Sequence, residues 1–161
     1  MTLQDRNEKI EQYGNAYNEI SEFLKGLSKE ELEYKPAPEK WSAHEIVVHI
    51  ADSEANSYVR VRKALAEPGG MVFGYDQDVW TQKLDYSKLN FDDYLELFRL
   101  LRKTTYDLIK NLPEEKWQNH YNHSEYGPAG LEKWLEIYAK HIPGHIAQIK
   151  RNLEAMKTLA I

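Results

Sequence analysis

The sequence predicts an all-α protein, a four-helix bundle with long connections that forms a single domain over residues 1–161. Three observations predict it. Four long stretches carry apolar side chains at alternating steps of three and four, the spacing that lines up one face of a helix. Strand-type alternation is scarce, and no internal repeat, low-complexity run or flexible linker divides the chain. A length of 161 residues suits one domain with a sizeable core.

The first helix is expected from about Gln4 to Leu27, with Ile10, Tyr13, Tyr17, Ile20, Leu24 and Leu27 on its inner face. Ser28 and Glu31 form a capping box for a short segment ending near Leu32, where each side chain can satisfy the other's free backbone N–H. Pro36 and Pro38 then force extended backbone. A second capping box, Ser42 with Glu45, opens the next long helix, which runs to about Ala66 before Pro68-Gly69-Gly70. Its seam is Ile46, Ile50, Ser53, Ser57 and Val61.

Residues 67–90 form a connection long enough to suggest service to a site. Phe73, Tyr75, Asp76, Asp78 and Trp80 either cover a pocket or pack on one another. Asn90 caps the third long helix, with Phe91, Tyr94, Leu95, Phe98, Leu101, Leu108 and Leu112 as its buried face and Pro113 as its stop. A loop over 113–129 holds His120 and His123, which read as solvated. The last helix starts near Pro128 and runs to about Lys157. It carries an internal Pro143-Gly144, at a cost of about 3 kcal/mol in a helix interior, so a kink or a break is expected there.

Charge and composition exclude several functions. The net charge is −5 and the Lys and Arg residues are scattered, which argues against nucleic acid and acidic membrane surfaces. No apolar run approaches the roughly 20 residues that span a bilayer. The polar segment Met1 to Glu11 is unlike a secretory signal, so a cytoplasmic location is expected. There is no cysteine, which removes disulfides, thiolate metal ligands and a cysteine nucleophile.

The histidines carry the chemistry. His141 and His145 are one turn apart and fall in the apolar seam of the last helix. Two imidazoles in a core need partners for their ring nitrogens. A divalent metal ion supplies one partner to both, and hydrogen bonds to the core are the other solution; the residues alone leave both open. His49, beside the seam of the second long helix, is the candidate third ligand, with Asp52 one turn on. Three imidazoles leave a zinc-type ion an open coordination position, as in catalytic sites. Gln148 follows His145 by three and is placed to bond its ring. Asp52, Tyr75, Asp76 and Asp78 are candidate polar groups at the mouth, and His44 reads as exposed.

The run from Trp41 to Glu54 (WSAHEIVVHIADSE) and the run from His141 to Ile149 (HIPGHIAQI) resemble signatures of the DinB-like, damage-inducible superfamily. Tyr75 to Trp80 and His123 to Gly127 look familial too, so the resemblance covers nearly the whole chain. It implies a four-helix bundle with an unusual helix order, often a homodimer. It also implies a divalent metal, zinc or nickel among others, on His49, His141 and His145. Similar proteins include thiol S-transferases, so the implied partners are a low-molecular-weight thiol and an electrophilic small molecule. A metal with open positions lowers a thiol's pKa, and a chain without cysteine must take that thiol from outside. The alternatives are a metal-dependent hydrolase and a non-enzymatic metal-binding stress-response module.

Overall fold

The structure is a computed structural model that describes residues 1–159. Four long helices form the bundle: α1 (Leu3–Leu24), α3 (Ala43–Ala66), α5 (Phe91–Ile109) and α6 (Leu131–Leu159). Short helices α2 (Lys29–Glu33) and α4 (Gln77–Lys83) lie in the connections. Both anticipated capping boxes form, Ser28 with Glu31 and Ser42 with Glu45, and Asn90 caps α5 through the backbone N–H of Asp93. A third box, Thr2 with Asp5, opens α1.

α1 packs on α5 and α6, and α3 packs on the same two helices. The cyclic order is therefore α1–α5–α3–α6, and the first two long helices lie diagonally opposed rather than side by side. α3 and α6 touch more sparingly than the other neighbouring pairs. That seam is where the histidines meet.

Two apolar clusters fill the interior. One gathers Tyr13, Val61, Ile109, Trp134 and Leu135; the other gathers Ile20, Ile46, Ile50, Phe98 and Ile149. Between them lies a polar layer that periodicity did not reveal. Arg102 of α5 and Glu54 of α3 are wholly buried and ion-paired at 2.7 Å. The Tyr13 hydroxyl of α1 donates to Glu54. The Arg102 guanidinium lies 4.0 Å over the Tyr13 ring and donates at 3.2 Å to the Tyr138 carbonyl of α6. One residue pair thus touches all four helices.

The structure corrects several expectations. The buried face of α5 is Phe98, Arg102, Thr105 and Ile109, while Leu108 is exposed; the face turns to bring Arg102 onto Glu54. α6 begins at Leu131 rather than near Pro128, and it continues without interruption through Pro143. Residues 127–130 are a strand instead. The chain also forms a small sheet over two connections: β1 (Met71–Val72) runs parallel to β2 (His120–His123), which pairs antiparallel with β3 (Gly127–Gly130). Gly127 adopts φ +75° at the hairpin, a conformation glycine takes without a steric penalty. No helix among the described residues is long and apolar enough to cross a membrane.

Candidate metal centre

His49 projects from the buried face of α3 and His141 and His145 from α6, across the sparse seam. Each offers one ring nitrogen within 4.8 Å of the others'. The Nε2 atoms of His141 and His145 are 3.1 Å apart. Two nitrogens each about 2.0–2.1 Å from one tetrahedral cation stand roughly 3.3–3.4 Å apart, so the spacing is close to that of a shared ion. The His49 ring centroid lies 5.6 Å from that of His141 and 5.0 Å from that of His145.

The surroundings set the protonation of these rings. His145 Nδ1 is 3.0 Å from Gln148 Oε1. The amide oxygen accepts, so Nδ1 carries the proton and Nε2 turns its lone pair toward the cluster. Burial pushes the His49 ring down to about 3, with the neighbouring His145 adding to the effect. Burial likewise holds His141 well below the ordinary imidazole range and lowers His145. All three are therefore neutral donors at physiological pH, the form a metal ion requires. The Nδ1 atoms of His49 and His141 are buried and have no hydrogen-bond partner. Three ring nitrogens that converge at the floor of a cleft, with the Nδ1 atoms of two of the rings unpartnered, fit a divalent cation better than a closed hydrogen-bonded core.

Trp41 packs its ring 4.6 Å from that of His49 and fixes one wall. A cleft of about 490 Å³ opens from the triad to solvent, lined also by Glu39, Lys40, Gln77, Asp78 and Gln148. Asp78 and Gln77 come from α4, a helix inside the connection over residues 67–90. Its start is fixed by Asp76, whose carboxylate accepts the backbone N–H of Val79.

The other anticipated residues divide. Asp78 reaches the cleft. Asp76 serves as the α4 cap, and Tyr75 packs its ring 4.6 Å from Trp80, so the long connection both lines a site and packs its own aromatics. Asp52 points elsewhere and accepts a hydrogen bond from the Tyr86 hydroxyl. Tyr86 is presented by Asp85, whose left-handed backbone (φ 51°) an aspartate tolerates. His44 is not exposed as expected: its Nε2 lies 2.8 Å from the Leu89 carbonyl and ties α3 to the end of the connection. His120 is exposed, but His123 is buried, stacked at 3.8 Å on Tyr126. Strand β2 places it under the sheet, a context a polar loop sequence does not advertise.

A helical bundle with a three-imidazole cluster on an inter-helix seam defines a class of metal-site bundle proteins. The DinB superfamily model matches residues 12–149, and the chain belongs to that superfamily. A relative from Bacillus cereus, provisionally named a metal-dependent hydrolase, is 29% identical over 147 residues, covering 89% of this chain and 84% of its own. One from Oceanobacillus iheyensis with the same provisional name is 28% identical over 144 residues, covering 87% and 83%. Among solved structures, YfiT from Bacillus subtilis superposes with a TM-score of 0.89 at 22% identity, over 98% of this chain and 90% of that one. Its description provisionally assigns metal-dependent hydrolysis and notes an unusual four-helix bundle topology, and the bundle described here has that fold.

Proposed function

We propose that the chain is a metal-dependent enzyme that holds one divalent cation on His49, His141 and His145 and uses it to activate a nucleophile. The observation that carries this reading is the convergence of three neutral ring nitrogens, from helices far apart in sequence, at the floor of an open cleft. When bound, such a cation supplies Lewis acidity and brings the pKa of a water or thiol toward neutrality. The chain's own groups do the rest. Gln148 sets the tautomer and angle of the His145 ring, and Trp41 holds the His49 ring. Asp78 and Glu39 at the cleft wall are the carboxylates available to take up the nucleophile's proton.

Hydrolysis is the reaction class that the relatives' provisional names support. Thiol transfer to an electrophile, with zinc or nickel as the ion, keeps the same site and exchanges water for an external thiol; it rests on the family resemblance and on the absence of cysteine from the chain. The test is an assay of metal-loaded protein against ester, amide, epoxide and halide substrates, each with and without a panel of low-molecular-weight thiols. Turnover in water alone supports hydrolysis, and turnover that requires thiol supports transfer. Activity that survives in His145→Ala would overturn the metal reading for both.

A further inference from the structure

Arg60 contrasts with the two buried arginines, and Arg62, partly buried and also without a carboxylate, differs from it by lying 3.1 Å over the Tyr58 ring and donating to the Tyr58 carbonyl and the Thr105 hydroxyl. Arg6 and Arg102 each meet a carboxylate. Arg60 is partly buried and meets none among the described residues. Its Nη1 donates to the Tyr138 hydroxyl at 3.2 Å, and its Nε is buried with no partner. An uncompensated guanidinium out of water is costly, so the missing anion is informative.

His123, on the neighbouring strand β2, brings Arg60 no counter-charge. His123 Nδ1 accepts the Glu125 backbone N–H at 3.2 Å, so the neutral ring carries its proton on Nε2. That Nε2 is buried and unpartnered. Its strand neighbour in β1 is Val72, and paired residues project from the same face of a sheet. Val72 and Arg60 line one cleft of about 700 Å³, walled by Val59, Met71, Phe73 and Trp80. Three of those wall residues are more than half exposed: Phe73 at 74%, Met71 at 54% and Val59 at 51%. Burial, and then the charge of Arg60, keep the His123 ring neutral. Lys63 at the rim is held by Glu67 at 2.5 Å. The one acid in the lining, Asp52, lies two turns of α3 from Arg60 and is engaged by Tyr86.

We propose that this cleft binds a small organic carboxylate, with its carboxylate on Arg60 and its apolar body against Val59, Phe73 and Trp80. One guanidinium matches a single negative charge; a phosphate dianion calls for more cationic partners. The site is separate from the triad but joined to it: Tyr138 bonds Arg60 and sets its ring 5.7 Å from that of His141. His49 and Arg60 also share one face of α3, about 16 Å apart along the axis. The proposal stands without the metal reading, because a carboxylate on Arg60 needs no cation.

The probe is phenylacetate, compared with its neutral isostere phenylacetamide by calorimetry, on protein as purified and after metal removal by chelator dialysis. Phenylacetate is expected to bind about ten-fold tighter than the amide in both preparations, the difference a charge-assisted pair supplies. Arg60→Gln brings the acid down to the level of the amide while thermal unfolding stays within a few degrees, since the cation it removes lacked a counter-charge. If that variant does not fold, Arg60→Lys is read instead: it keeps the charge but loses the planar fork, and several-fold weaker binding of the acid with the amide unchanged supports the site. Equal binding of acid and amide, a preference that survives Arg60→Gln, or no change in Arg60→Lys overturns the proposal. So does a preference that vanishes on metal removal, which would put the carboxylate on the triad's cation. Phenyl phosphate binding more tightly than phenylacetate overturns the choice of a carboxylate.

Discussion

Glu54 and Arg102 pair at 2.7 Å with both side chains out of solvent, at the level where the two apolar clusters of the bundle meet. Tyr13 donates to the carboxylate, and the Tyr138 carbonyl accepts from the guanidinium. Removing one charge leaves the other buried and alone. Glu54→Gln is therefore expected to cost about 3–5 kcal/mol of unfolding free energy, whereas Glu54→Leu with Arg102→Met recovers much of the loss. Urea titrations of the two variants check this. A single variant as stable as the parent refutes the argument.

Metal content follows from the triad. Purified protein is expected to carry about one divalent ion per chain, and His49→Ala, His141→Ala and His145→Ala each to lose it, read by elemental analysis. Saturating the ion at about 100 times its Kd stabilises the parent by about 2.7 kcal/mol. That gain is expected to vanish in the three variants.

Gln148→Leu separates the ligands from their support. It keeps all three imidazoles and removes the acceptor for His145 Nδ1. Loss of such an outer hydrogen bond lowers metal affinity by about 10- to 100-fold. Competition with a chromophoric chelator measures it, and an affinity unchanged from the parent contradicts the assigned tautomer.

Acid acts on the metal-free protein through the same rings. All three histidines have folded-state pKa values below the ordinary 6.5, with His49 at about 3, because burial disfavours the charged form. As pH falls below 6.5 the unfolded chain takes up protons that the folded chain refuses, so stability declines progressively toward about pH 3 and is flat in this respect above pH 7. Replacing His141 with Phe is expected to flatten part of that slope in urea titrations from pH 7 to 4. An identical slope in the variant rules out the buried rings as its source.

Much of the bundle was legible because α1, α3 and α6 write their inner faces as plain apolar periodicity, and Ser28, Ser42 and Asn90 mark helix starts with local chemistry. The three histidines were legible for a related reason: polar rings in an otherwise apolar seam contradict their setting. Arg102 misled for the opposite reason. Its partner Glu54 lies 48 residues away, so apolar periodicity alone runs the α5 stripe through Leu108. His123 and α4 escaped because their context depends on strand and cap contacts made only after the connections fold over the bundle. Pro143 signals a kink or a break, and of the two α6 does not take the break; packing along Ile142 and Ile149 holds the helix through it.

The small sheet has a mechanical consequence. Gly69 donates to His120, Asn122 to Gly70 and Ser124 to Val72, so the segments before and after α5 are stitched edge to edge. Neither can swing outward without breaking backbone bonds to the other. Any breathing of the molecule at this end is then a concerted hinge of two strips moving as one plate, slower than the flicker of a lone loop, and the rate at which small molecules come and go there would be set by that plate.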